Sequence, residues 1–249
     1  MRPIYEPRGA AREYGELALN IYTGCPHRCY YCFAPNVLHR EREKFHLEVK
    51  PRENLVEETR RQLERERITN KLIHLCFTCD PYPVGRDTSV TREIIKLLKD
   101  SGNHVQILTK GCGVRDFDLL DSEDWYGVTV SCTENTAQWV EPGAHPPMSR
   151  LNDILVAKDR GIKTWVSFEP VIEPTAVYAS IKLYHKYIDK VKIGKLNYHK
   201  SDVDWIDFAE NAIRMCESCG LSYYIKDSLR KEMEKSGASQ NSGGVLPPT

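Results

Sequence analysis

Between residues 17 and 226 the chain alternates short β-rich runs with stretches of helical periodicity, and this alternation restricts the fold more than any other feature. The runs are LALNIYT (17–23), KLIHLCFT (71–78), HVQILTKG (104–111), YGVTVSCT (126–133), KTWVSFEPV (163–171) and KVKIGKLN (190–197), with LSYYIKD (221–227) as an additional edge strand. A strand followed by a helix and another strand pairs in parallel, because the crossover returns the chain to the same end of the sheet. Six such units predict an α/β fold, a partial (β/α)6 barrel of the TIM type with mostly parallel strands. The helical stretches agree. RENLVEETRRQLERER places Leu55, Val56, Thr59 and Leu63 on one face with mixed charge opposite. TREIIKLLKDSG stops at Gly102, and PPMSRLNDILVAKDRG starts at Pro147 and stops at Gly161.

The 249 residues, 41% of them hydrophobic, suffice for one large core, so residues 1–235 are expected to form one domain. The Ser/Gly/Pro-rich tail 236–249 is expected to be mobile. No run of 18 apolar residues occurs and the N-terminus is charged from the start, which predicts a cytoplasmic chain with no membrane span or secretory signal. In a reducing cytosol nine cysteines point away from a disulfide framework and toward metal or redox chemistry. With 35 basic and 35 acidic residues, overall charge gives no support for a nucleic-acid binder.

The stretch GCPHRCYYCFAP (24–35) packs Cys25, Cys29 and Cys32 within eight positions. A structural zinc would need a fourth ligand, for which His27 and the distant pair Cys216 and Cys219 are available, although closed zinc sites normally use two paired knuckles. Buried spare cysteines behave as small hydrophobes, but a loop after a strand does not require three of them. The better reading is a four-iron four-sulfur (4Fe-4S) cluster on three thiolates, since one short loop can wrap a compact cube and point its thiolates inward. One iron is then left without a protein ligand.

The spacing CxxxCxxC, with the aromatic Tyr31 before the last cysteine, resembles the signature of the radical S-adenosylmethionine (SAM) superfamily. The resemblance implies that the open iron chelates the amino and carboxylate groups of SAM. An electron from the cluster then cleaves the sulfonium, and the resulting 5′-deoxyadenosyl radical abstracts hydrogen from a substrate. It also implies an electron-donor partner such as flavodoxin or ferredoxin.

Active sites of β/α barrels lie at the C-terminal ends of the strands, and here those ends are polar. Thr78, Cys79 and Asp80 are placed to meet the SAM ammonium, and Lys110 to pair with its carboxylate. Ser131, Glu134, Glu169, Lys195 and Asn197 follow on later strands. A single polar strand end is an ordinary solvated loop boundary; five in register with a cysteine loop read as one site.

EYGELALNIYTGCPHRCYYCFAP, TCDPYP, TREIIKLLKDSGNHVQILTKGCGVRDFDLL and SFEPVI together resemble the spore photoproduct lyase-like group, over about residues 13–200. That resemblance implies SAM contacts at Lys110, Ser131 and Cys79, and adenine packing by Tyr31. In the lyases of the group a hydrogen-donating cysteine lies three residues before the aspartate and a relay tyrosine follows the last cluster cysteine. Here those positions are Phe77 and Phe33, which have no thiol or phenol hydrogen to give. Phe33 therefore counts only among cofactor-lining residues.

Cys79 is the candidate catalytic hydrogen donor. In a regular strand residues 77 and 79 share a face and Cys76 takes the other. Cys132 should point away if Ser131 points in, and Cys112 reads as loop packing. His27 and Arg28 are expected to face solvent, Tyr198 and His199 could line the mouth, and Arg86, Arg92, Arg115 and Arg150 could form a phosphate-binding groove. The substrate is left open between nucleic acid, including a DNA lesion, and a peptide or small molecule. The competing non-enzyme reading is a binding module that merely holds a metal.

Overall fold

The computed structural model describes residues 2–235, so the predicted tail 236–249 lies outside the described residues. In chain order the elements are β1 (Ile4–Tyr5), a 3-10 turn (Gly9–Glu13), β2 (Leu17–Leu19), α1 (Ala34–Val37), α2 (Arg42–Leu47), α3 (Leu55–Glu66), β3 (Leu72–Leu75), α4 (Ser89–Asp100), β4 (His104–Thr109), a second 3-10 turn (Val114–Leu119), β5 (Trp125–Thr129), α5 (Glu134–Val140), α6 (Pro147–Asp159), β6 (Lys163–Val171), α7 (Pro174–Tyr184), a short 3-10 turn (His185–Tyr187), β7 (Lys190–Lys195), α8 (Trp205–Ser218), β8 (Ser222–Ile225) and α9 (Asp227–Lys235). The strands form one open eight-stranded sheet in sequence order. Strands β2 to β7 are the six predicted ones, each parallel to its neighbour, and β8 continues the sheet in parallel at one edge. At the other edge β1 pairs with β2 antiparallel, an addition the β/α pattern did not announce. Among the described residues no helix is long and apolar enough to cross a membrane.

Period-two alternation sorts the strands into two faces. Ile73 and Leu75, Val105 and Ile107, Tyr126 and Val128, Val166 and Phe168, and Val191 and Ile193 are buried and belong to the main apolar core. The helices contribute to that core the predicted faces: Leu55, Thr59 and Leu63 of α3 are buried, as are Ile94, Ile95 and Leu98 of α4. Gly102 and Gly161 follow α4 and α6 with φ of 72° and 76°, in the left-handed region that suits glycine.

The inner face is polar and aromatic, carrying His74, Gln106, Trp165, Ser167, Lys192 and Tyr224. Gly127 is part of it because a Cβ there would lie 2.2 Å from the Trp165 ring nitrogen, so only glycine lets the indole cross the lumen. The Trp165 Nε1–H donates to the Ile107 carbonyl at 2.9 Å.

An open barrel leaves a seam between its first and last strands, and residues 13 and 14 fill its lumen from that side. Tyr14 packs against His74, Phe77 and Trp165 with ring centroids 5.6, 5.8 and 5.9 Å away. Its carbonyl accepts Gln106 Nε2–H at 2.7 Å, and its hydroxyl meets Ser167 at 3.2 Å and donates to Glu169 at 2.5 Å. Glu13 accepts from Tyr224 at 3.2 Å and from the Asp227 N–H at 2.8 Å, while Lys192 Nζ donates to the Glu13 carbonyl. Two residues thereby tie together β3, β4, β6, β7 and β8.

Candidate functional site

The three cysteines occupy the loop after β2, at the C-terminal end of the barrel. Helix α2 clamps that loop from one side. Arg42 donates to the carbonyls of Cys29, Tyr30 and Cys32 at 2.5, 2.7 and 3.2 Å, and His46 Nδ1 lies 2.8 Å from the Cys25 carbonyl. The segment after α5 clamps the other side: Tyr30 N–H donates to Val140 O and Gly143 N–H to His27 O, at 2.9 and 3.0 Å. A Cβ on Gly143 would sit 2.3 Å from the Pro26 carbonyl oxygen, so the approach requires glycine. Cys29 is buried, and Cys25 and Cys32 are partly so. Burial pushes all three thiols up, Cys29 to about 12, so a loop of bare thiolates is unfavourable without a positive centre to hold them.

His27 corrects the sequence expectation. It is 1% exposed rather than solvent-facing, whereas Arg28 is on the surface with Glu43 at 2.7 Å. His27 Nε2 accepts the Val84 N–H at 3.2 Å, and Nδ1 faces Asp80 at 3.5 Å. Burial holds its pKa down to about 4 despite Asp80, so it is neutral and both nitrogens are engaged.

Asp80 is a hub. Its carboxylate accepts from Thr109 Oγ1 at 2.5 Å, from the Tyr82 N–H at 2.8 Å and from the Lys110 N–H at 2.8 Å, besides facing His27. It thus joins the ends of β3 and β4 to the cysteine loop. Lys110 holds its Nζ 5.4 Å from the centre of the Tyr31 ring. Burial alone would lower the Lys110 pKa, but negative charge at Cys29 and Glu141 holds it above the ordinary lysine value.

The Tyr31 hydroxyl meets Ser131 Oγ at 3.0 Å and donates to Glu141, which in turn binds Arg150 at 2.5 Å with both side chains fully buried. Arg150 also donates to the carbonyls of Thr129 and His145 at 2.8 and 2.7 Å. Burial opposes ionisation of Glu141, yet Arg150 and Lys110 hold its carboxyl below the usual range. Sequence reading named Tyr31, Ser131 and Lys110 but not Glu141, which lies in a loop without periodicity.

The remaining strand ends differ. Glu169 accepts from Tyr14 and from Lys226 Nζ, both at 2.5 Å. Lys195 pairs with Glu232 of α9, and Asn197 donates to the Lys195 carbonyl at 3.2 Å. Glu134 is exposed in the first turn of α5, and Phe33 is 47% exposed just before α1. Tyr198 is 95% exposed, while the His199 ring lies 4.7 Å from that of Tyr30, bringing the loop after β7 to the cysteine loop. Asn20, Tyr31, Phe77, Leu108, Lys110 and Glu169, on the inner strand faces and their ends, keep part of their surface accessible.

Three further expectations are corrected. Strand β3 ends at Leu75, and Cys76 adopts φ 71°, so the regular pleat assumed for residues 76–79 is absent. Arg150 cannot line a phosphate groove, and two of the other three arginines are held by carboxylates. Arg150 is fully buried against Glu141, Arg92 binds Asp118 and Asp116 at 2.6 and 3.1 Å, and Arg115 binds Asp116 at 2.8 Å. Cys112 is exposed rather than packed.

The donor set fits a cluster better than a single ion. Thiolates around one zinc stand about 3.8 Å apart, given tetrahedral Zn–S bonds of about 2.3 Å. Among the described residues only His104, Asp121 and Asp124 bring three donor atoms within 4.8 Å of one another, and Lys99 already occupies that group, bonding Asp121 at 2.7 Å and Asp124 at 2.6 Å. The cysteine triplet is therefore spread more widely than one ion requires. The residues expected as a fourth zinc ligand are placed otherwise: His27 is engaged, and Cys216 and Cys219 stand in the last turn and at the C-cap of α8, which leads into the start of β8 at the opposite end of the barrel.

An open parallel barrel with a three-cysteine loop after its first parallel strand defines a class of β/α protein. Comparison with known proteins names it: the chain belongs to the radical SAM superfamily, whose family model matches residues 19–183. It is 31% identical over 181 residues to the uncharacterised protein ORF301 of Acidianus two-tailed virus, covering 66% of this chain and 59% of that one. It is 29% identical over 179 residues to the uncharacterised protein Rv2578c of Mycobacterium tuberculosis, covering 67% and 52%. The chain thus spans little more than half the length of these relatives.

Among solved structures, spore photoproduct lyase complexed with dinucleoside spore photoproduct superimposes with a TM-score of 0.67 at 14% identity, over 90% of this chain and 78% of that one. SuiB of Streptococcus suis, bound to its precursor peptide SuiA, gives a TM-score of 0.61 at 13% identity, over 90% and 52%. At such identities the likeness is one of fold.

Proposed function

We propose that Cys25, Cys29 and Cys32 hold a 4Fe-4S cluster with one iron open, that SAM docks there, and that the lumen above Tyr14 receives the substrate. When bound, the cluster supplies the electron that cleaves SAM to a 5′-deoxyadenosyl radical. The observation that carries this reading is the loop of three cysteines, clamped by Arg42 and His46 on one side and by residues 140–143 on the other.

Lys110 serves as the cation for the SAM carboxylate, because it is already desolvated and held protonated by the charges around it. Tyr31 packs beside it, its ring fixed by Ser131 and Glu141. The turn Thr78–Cys79–Asp80 lies along the SAM ammonium; Asp80 braces that turn, and Cys79 is the choice of hydrogen donor. Glu169 and Asn197 belong to the substrate side of the lumen, with Glu134 and Phe33 at its rim. A low-potential electron carrier such as flavodoxin or ferredoxin is the partner such chemistry needs.

A DNA-lesion lyase is the second reading, supported by the likeness in fold to spore photoproduct lyase. Phe77 and Phe33 weigh against the relay of that enzyme, and the neutral charge balance lends DNA binding no support. The test is anaerobic reconstitution followed by reduction with dithionite in the presence of SAM. Release of 5′-deoxyadenosine, lost in Cys29→Ala and strongly reduced in Lys110→Met, supports the proposal. A reconstituted cluster that leaves SAM intact contradicts it.

A further inference from the structure

The turn after β3, which the proposed function sets beside SAM, is held by a residue on neither the cysteine loop nor the turn itself. Asn20 follows β2 directly, and its side-chain oxygen accepts the N–H groups of both Phe77 and Thr78, at 2.8 and 2.9 Å. A backbone N–H can only donate, so the atom that meets this pair is the carboxamide oxygen, and the amide nitrogen faces elsewhere. That nitrogen donates to the Tyr5 hydroxyl at 2.7 Å. Tyr5 belongs to β1, the antiparallel strand outside the β/α pattern, which thereby fixes the orientation of Asn20. Both peptides that Asn20 grips are trans, and a trans peptide holds its N–H and C=O on opposite sides. The carbonyls of Cys76 and Phe77 therefore point away from Asn20. Next to them the Thr78 hydroxyl oxygen is buried and meets no hydrogen-bond partner among the described residues. The far end of the turn is pinned by Asp80, which accepts from Thr109 Oγ1 at 2.5 Å and from the Lys110 N–H at 2.8 Å.

We propose that Asn20 is a positioning residue that sets which end of the amino-acid group of SAM docks on this turn. With two N–H groups withdrawn, the turn offers acceptors: the carbonyls of Cys76 and Phe77 and the Thr78 oxygen. Acceptors suit the N–H bonds of an amino group and repel a carboxylate, which is left to Lys110 directly after β4. Removing the Asn20 oxygen frees the two N–H groups to turn toward the ligand as donors. The discrimination between amino group and carboxylate then falls, although Asn20 acts only through the turn.

This inference rests on the docking of SAM at the cluster, and its test separates the two. Cluster-loaded protein, matched for iron content, is titrated by equilibrium dialysis with SAM and with its deaminated analogue, S-adenosyl-4-mercaptobutyrate, which keeps the sulfonium and the carboxylate but has no amino group. The parent protein is expected to prefer SAM. In Asn20→Leu that preference, the ratio of the two dissociation constants, should fall about tenfold. Asn20→Asp keeps an acceptor for both N–H groups and can accept from Tyr5 in turn, so its preference should stay within about twofold of the parent. A loss of affinity shared equally by the two compounds marks a merely structural role and overturns the inference, as does a parent that binds both alike. If Asn20→Leu does not retain iron, Tyr5→Phe decides: it leaves the Asn20 oxygen in place but frees the amide to turn, and the preference should fall about threefold, an unchanged preference overturning the inference. A cluster-loaded parent that binds neither compound overturns the docking of SAM itself.

Discussion

Tyr31 joins the cysteine loop to the interior through one hydroxyl, held between Ser131 and Glu141. Tyr31→Phe leaves a buried carboxylate oxygen without its donor and should cost about 1–3 kcal/mol in denaturant unfolding. Arg150→Met should cost more, about 3–5 kcal/mol, because it strands the charge of Glu141 in the core. Equal stability of Arg150→Met and the parent would refute the role given to that pair. His74 supplies a pH test. Burial, with Lys192 and Lys226 nearby, holds its pKa down to about 3, below the value of about 6.5 expected for an unfolded histidine. Stability from this group is therefore complete above about pH 6.5 and is lost as pH falls toward 3, by about 1.4 kcal/mol per unit. His74→Gln should flatten the stability profile between pH 6.5 and 5; an unchanged slope contradicts the assignment. At this scale the sequence made the cysteines, Tyr31, Lys110 and Ser131 legible through motif spacing and strand ends. It hid Glu141, His27 and the Cys76 turn, because burial in a loop and a left-handed backbone at a non-glycine residue leave no periodic trace.

Among the elements, the clamp on the cysteine loop carries the clearest consequence. Gly143→Ala forces a Cβ into the Pro26 carbonyl, backbone against backbone, which no side-chain rotation relieves. The expected outcome is a folded protein, by far-ultraviolet circular dichroism, that retains markedly less iron after desalting; full iron retention would show that the close approach is dispensable. The same logic applies to the floor of the lumen. Tyr14→Ala removes a partly buried aromatic and its hydroxyl's bonds and should unfold with a loss of about 2–4 kcal/mol. The helices and the six parallel strands were readable because their apolar faces repeat at the periods of helix and strand. The plug was not, since Glu13 and Tyr14 gain their meaning only from strands that lie 60 to 211 residues further along the chain.

At the scale of the molecule, a sheet that runs in sequence order and never closes has its interior filled from the seam by Tyr14, while Lys110, Tyr31 and Glu169 stand nearer the C-terminal ends of its strands. The β/α rhythm announced that architecture, whereas the antiparallel β1 and the seam filled by residues 13 and 14 depend on contacts too distant in sequence to be patterned. The polar inner face against an apolar outer one sets this barrel apart from one built throughout as a packed core. The central claim is that three thiolates hold a cluster and leave one iron for SAM. It is tested most directly by electron paramagnetic resonance of the reduced, reconstituted protein with and without SAM: the account predicts a 4Fe-4S signal that shifts when SAM is added and is absent in Cys29→Ala, and it is contradicted by a signal indifferent to SAM or by zinc, rather than iron, bound to the three cysteines.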